Sequence, residues 1–114
     1  MQRKTILNYS PNFSPKKRTK KQIKFIIIHY TGMRRESEAI ERLTNIQSEV
    51  SSHYLVKKNG NIVTLVPDLY IAWHAGLSSW KNFKFLNNIS LGIEISNPGH
   101  QYNYKKFSNK QIQS

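Results

Sequence analysis

The chain has 114 residues, 38% hydrophobic and 11% aromatic, enough apolar material for one compact core and too little length for two. It contains no cysteine, which excludes a disulfide framework and a thiolate metal site and leaves His, Asp and Glu as the metal donors. The formal net charge is +12, and eight of the 18 basic residues fall among the first 24 positions, where there is no acid. Such a patch favours a polyanion: nucleic acid, a lipid surface or an acidic polymer.

The same charge has a compositional account, because Lys, Asn and Ile are all abundant and all encoded by AT-rich codons. No zinc-finger spacing, RNA-binding aromatic signature or glycine clamp turns the charge into specific readout, so no specific nucleic-acid partner is expected. No apolar run reaches the length of a membrane span, and the first residues lack the hydrophobic segment of a secretory signal. The expectation is a chain without a membrane span, working in the cytoplasm.

Residues 1–22 are polar, basic and interrupted by Pro11 and Pro15, which suits an extended, partly ordered arm preceding a domain over 23–114. Residues 23–30, ending in KFIIIHY, form a β-branched run that stops at Thr31-Gly32 and predicts a central strand buried on both faces. His29 then sits at its C-terminal end. Residues 35–47 place Ala39, Ile40, Leu43 and Ile46 on one side at helical spacing, with acids in the first turn.

After this amphipathic helix, HYLVKKNGNIVTLVP reads as two strands, 53–57 and 61–66, about the hairpin dipeptide Asn59-Gly60. DLYIAWHAGLSSWKNFKFLNN has no clean period and reads as a structured loop. SLGIEIS at 90–96 is a further strand, ended by Asn97-Pro98-Gly99, and Ser108 caps a helix that begins near Phe107. The order strand, helix, hairpin, loop, strand, incipient helix predicts an α/β fold, a mixed β-sheet flanked by helices.

Several residues are able to carry chemistry. Glu94 lies between Ile93 and Ile95, where a carboxylate is costly to bury; it is either solvent-facing or poised as a general acid or base. His29 reads as a core histidine, a general base or a metal ligand. His53, His74 and His100 show none of the one-turn spacing of a compact zinc motif. Trp73, His74 and Gly76 make either a packed loop or a platform for sugar or peptide.

Taken in order, FIIIHYTGM, the following helix, SSHYLVKKNGNIVTLVP, AWHAGLSSW, SLGIEISNPGH and YKKFSNKQ resemble the zinc-dependent N-acetylmuramoyl-L-alanine amidases of the type 2 amidase and peptidoglycan-recognition family, from about Ser10 to Gln113. The resemblance implies a mixed sheet with a peptidoglycan groove and zinc at its floor, His29 as a zinc ligand and Glu94 as the catalytic carboxylate. It implies that Tyr30, Thr31, His53, Trp73, His74 and Asn97 contact a peptidoglycan or muropeptide substrate. Where the family has an arginine before AWHAG this chain has Tyr70-Ile71, which weakens an ionic contact.

Family members also continue the last helix and supply a second histidine and an aspartate or cysteine to zinc, and neither segment occurs here; His100 matches a position in the NPGH turn instead. The chain is therefore expected to be a truncated amidase domain, lacking the last family elements and the remaining zinc ligands. Its alternative is a catalytically inactive peptidoglycan-binding fragment. An uncovered sheet face, with self-association through it, is expected from the same truncation.

Overall fold

The computed structural model describes residues 4–75, 79–80 and 83–97. Nine strands and one α-helix are assigned among them: β1 (Thr5–Leu7), β2 (Phe13–Ser14), β3 (Phe25–Tyr30), α1 (Glu36–Thr44), β4 (Tyr54–Val56), β5 (Ile62–Thr64), β6 (Ile71–Ala72), β7 (Ser79–Trp80), β8 (Phe83–Lys84) and β9 (Ser90–Ile95). Five strands make the main sheet in the order β1-β5-β4-β9-β3, and β2-β6 and β7-β8 make two small ribbons. Within the main sheet only β4 and β5 run antiparallel, about the turn in which Gly60 takes a φ of 87°. The α/β expectation of a mixed sheet with a helix on it holds.

The β3–β9 pair decides where chemistry can occur. It is parallel, with Phe25 opposite Ser90, Ile27 opposite Gly92 and His29 opposite Glu94. Successive side chains alternate between faces, so Ile27 and His29 share a face with Gly92 and Glu94, while Ile26, Ile28 and Tyr30 share the other with Leu91, Ile93 and Ile95. Helix α1 lies on the first face, burying Ala39 and Leu43. The core beside it is Leu43, Leu55, Val63, Leu65, Val66 and Ala72, with Phe13, Ile40 and Tyr70 packed against it.

Three expectations are corrected. β3 is not a central strand buried on both faces: among the described residues it lies at the sheet edge, and Ile26 and Ile28 are 63% and 64% exposed. A run of isoleucines satisfies two-sided burial and one-sided burial equally well, and the face that carries these two is left open to solvent. Ile46 is 68% exposed because α1 stops at Thr44, whose hydroxyl donates back to the Ile40 carbonyl, and Asn45 turns the chain by accepting from the Gln47 N–H.

The basic arm is the third correction, since it is woven into the fold. β1 pairs with β5, Ser10 Oγ donates to the Leu43 carbonyl at 2.5 Å, and Asn12 Nδ2 donates to the carbonyls of Asn45 and Val50 at 2.8 Å each. Arg18 is 5% exposed, with its guanidinium donating to the carbonyls of Asp68 and Asn87. A buried cation is tolerated here because its donors meet carbonyl oxygens. The helix expected near Phe107 lies outside the described residues. Among the described residues no helix is long and apolar enough to cross a membrane.

Candidate active site

His29 and Glu94 stand side by side on one face of the sheet, on strands whose axes are about 4.8 Å apart. Above them opens a cavity of about 190 Å³, lined also by Thr31, Arg42, Leu43, Ser51, Trp73 and His74. Trp73 forms a shared wall with an adjoining groove of about 660 Å³ that includes Phe85, Asn87 and Ile46. Its indole N–H donates to Ser14 Oγ at 3.1 Å and its backbone N–H to Ser51 Oγ at 2.9 Å, which fixes the ring against the loop.

Burial raises the Glu94 carboxyl to about 7, with the Arg42 cation pulling in the opposite direction. No hydrogen bond reaches this carboxylate from the described residues, so little holds it in the ionised form. The group exchanges a proton near neutrality. Burial lowers the pKa of His29. His74 falls to about 3, chiefly through burial and then through the neighbouring His29, His53 and Arg18. Its Nδ1 lies 3.2 Å from His29 Nε2, and its Nε2 lies 2.9 Å from Ser90 Oγ.

The expected site residues separate into two groups. His29, Tyr30, Thr31, Trp73, His74 and Glu94 all border the cavity. His53 does not. It is fully buried, Nδ1 accepts the Gly92 N–H at 3.0 Å, and Nε2 donates to the Tyr70 carbonyl at 2.8 Å. With both ring nitrogens occupied it has no contact to offer a ligand, and it ties β9 to the segment that enters β6.

Asn97 is likewise 5% exposed and absent from the cavity lining. Its backbone carbonyl accepts from the Gly32 N–H at 2.8 Å and from the Thr31 hydroxyl at 3.1 Å, which fixes the turn after β3. Gly32 takes a φ of 64° in this turn. Thr31 therefore shapes the cavity edge while its hydroxyl serves the turn. Sequence reasoning missed Arg42, Ser90 and Gly92. Arg42 is exposed and stands beside the Ala39 and Leu43 face of α1, so the apolar spacing does not mark it.

Of the candidate metal donors, His29 and His74 turn one ring nitrogen each toward the other, at 3.2 Å, with Glu94 alongside. Among the described residues there is no group of three His, Cys, Asp or Glu able to hold a metal ion. Zinc needs at least three protein ligands, so the described residues do not by themselves fit it. His100 lies outside the described residues.

Comparison with known proteins gives one consistent family. The family model described as N-acetylmuramoyl-L-alanine amidase matches residues 19–114. The chain is 45% identical over 87 residues to the N-acetylmuramoyl-L-alanine amidase AmiD of Escherichia coli (strain K12), covering 70% of this chain and 30% of that protein. It is 46% identical over 46 residues to the 1,6-anhydro-N-acetylmuramyl-L-alanine amidase AmpD of Citrobacter freundii, covering 40% of this chain and 25% of that one.

Among solved structures, E. coli AmiD in complex with the substrate anhydro-N-acetylmuramic acid-L-Ala-D-gamma-Glu-L-Lys aligns with a TM-score of 0.69 at 39% identity, over 81% of this chain and 39% of that one. AMPDH3 from Pseudomonas aeruginosa in complex with anhydromuramic pentapeptide aligns at 0.70 and 27% identity, over 88% and 43%. The chain thus spans between a quarter and a third of the length of the curated relatives it matches.

Proposed function

The chain belongs to the N-acetylmuramoyl-L-alanine amidase family, and from that premise we propose that it is the strand-and-cleft portion of a peptidoglycan amide hydrolase that acts on the bond between N-acetylmuramic acid and L-alanine. The observation that carries this reading is the pairing of His29 with Glu94 on one face of the sheet, at the floor of a cleft walled by Trp73. The muropeptide ligands of the aligned AmiD and AMPDH3 structures support the substrate class.

Hydrolysis adds water to the lactyl carbonyl carbon, breaks the C–N bond and leaves the amino group of L-alanine, which must gain a proton as it departs. Glu94 takes the proton from the attacking water and delivers it to that nitrogen. A carboxyl near 7 is suited to both transfers at neutral pH, and such a group contributes about 10²–10⁴ in rate. Trp73 offers an aromatic wall for the sugar or the stem peptide. Zinc is the cofactor that the resemblance implies, with His29 as its ligand by position. Because the described residues do not complete a site around it, the steps assigned here belong to side chains alone.

The test is incubation of the 114-residue chain, with and without added zinc, with a muramoyl-peptide of stem L-Ala-D-Glu-L-Lys, followed by mass spectrometry. Release of the free stem peptide supports the reading, and Glu94→Gln is expected to reduce the rate by about 10²–10⁴. Saturable binding without cleavage points to the inactive binding fragment instead. Neither binding nor cleavage overturns both.

A further inference from the structure

We propose that His74 is a positioning residue that fixes the ring tautomer of His29, and that Gly92 is the residue that makes room for it. The reading rests on the count of donors and lone pairs in a short chain of contacts and stands apart from the assignment of hydrolysis.

A serine hydroxyl has one proton. Ser90 Oγ lies 2.5 Å from the Leu86 carbonyl oxygen, which can only accept, so that proton is spent there. The contact between Ser90 Oγ and His74 Nε2 at 2.9 Å is then His74 Nε2–H donating to a serine lone pair. A neutral imidazole carries one N–H, so His74 Nδ1 holds a lone pair. The 3.2 Å contact to His29 follows as His29 Nε2–H donating to His74 Nδ1. His29 is left with its lone pair on Nδ1, the nitrogen it has available for a ligand.

The seat for His74 is built from several elements. Its backbone N–H and that of Ala75 both donate to Asn87 Oδ1, at 3.2 and 2.7 Å. Its ring covers Gly92 so closely that a Cβ there would lie 2.4 Å from His74 Cγ and 2.5 Å from Cδ2, distances that non-bonded carbons do not reach. Any larger residue at this point of β9 moves the imidazole away from His29. Orientation of one histidine by a hydrogen bond at its second nitrogen is a common way to choose which nitrogen faces a ligand. Both ring nitrogens of His74 are engaged within the protein, which distinguishes this role from the substrate contact expected from sequence.

The experiment is imidazole ¹⁵N correlation spectroscopy of the labelled 114-residue chain, treated with chelator, at a pH where the histidines are neutral. His29 is expected as the Nε2–H tautomer, with a through-hydrogen-bond nitrogen–nitrogen coupling to His74 Nδ1. His74→Phe keeps a ring and removes the acceptor; the coupling is then lost and the minor Nδ1–H form of His29 rises about fivefold, the effect of one lost hydrogen bond. Gly92→Ala is expected to do the same with the backbone amide spectrum otherwise kept, and His74→Phe decides the matter if Gly92→Ala fails to fold. An Nδ1–H tautomer for His29 in the parent chain, or ¹⁵N shifts of His29 unchanged in His74→Phe, overturns the proposal.

Discussion

The two faces of the five-stranded sheet are made by the same strands and have opposite fates. One face is roofed by α1 and the loop around Trp73, and there Leu55 is fully buried and Glu94 sits in a cleft with a raised pKa. The other carries Ile26 and Ile28 at 63% and 64% exposure beside Leu91, Ile93 and Ile95. Strand periodicity separates them along β3, where the half-buried Ile27 and His29 alternate with the exposed Ile26 and Ile28. The contrast shows that the site depends on register: a slip of one residue between β3 and β9 would carry His29 or Glu94 to the opposite side.

The comparison predicts unequal costs for similar substitutions. Leu55→Ala, on the roofed face, is expected to lose about 2–5 kcal/mol of unfolding free energy in urea titration, because it leaves a cavity that packed neighbours cannot fill. A cost near zero would mean that the roof is loose. Next in size is Glu94→Gln. The folded carboxyl near 7 against an ordinary value of 4.5 contributes stability that is present in acid and lost as pH rises through that window. The substitution is therefore expected to stabilise the metal-free chain by about 2 kcal/mol at pH 8 and to change little at pH 4. His74, with its value lowered to about 3, acts in the reverse sense, losing stability as pH falls from 6.5, so the gain should be read in alkaline solution.

Ile28→Ala, on the open face, is expected to cost less than about 1 kcal/mol in the same titration, since most of the side chain already meets water. A cost equal to that of Leu55→Ala would show that this face is covered in solution. The smallest effect on folding is expected from the pair Ile26→Lys and Ile28→Lys, within about 0.5 kcal/mol. Here the informative measurement is sedimentation: if the parent chain associates through this face, the double variant should be monomeric at concentrations where the parent is not.

The fold was legible in sequence wherever a local rule decides it. The hairpin follows from Asn59-Gly60, and α1 from the spacing of Ala39 and Leu43. The edge position of β3 was not legible, because nothing in FIII states how many neighbours the strand has. The pairing of His29 with Glu94 was expected only through the family resemblance, since their 65-residue separation contains no hint that they share a register. His53 misled for a related reason. Its partners Gly92 and Tyr70 are distant in sequence, and nothing local marks the interior position that it shares with Ser51 and Ser52. The arm misled because prolines suggest irregular chain and say nothing of Arg18 finding carbonyl oxygens at Asp68 and Asn87.

The parallel pairing of β3 with β9 also has a kinetic meaning. Phe25 and Ser90 must meet across a loop of about 65 residues before either strand has its partner. On a ribosome the cleft cannot assemble until nearly all the described chain has emerged, and refolding should be paced by this one closure, in the millisecond-to-second range common to proteins rich in distant contacts. The hairpin and helix come early; the chemistry arrives last.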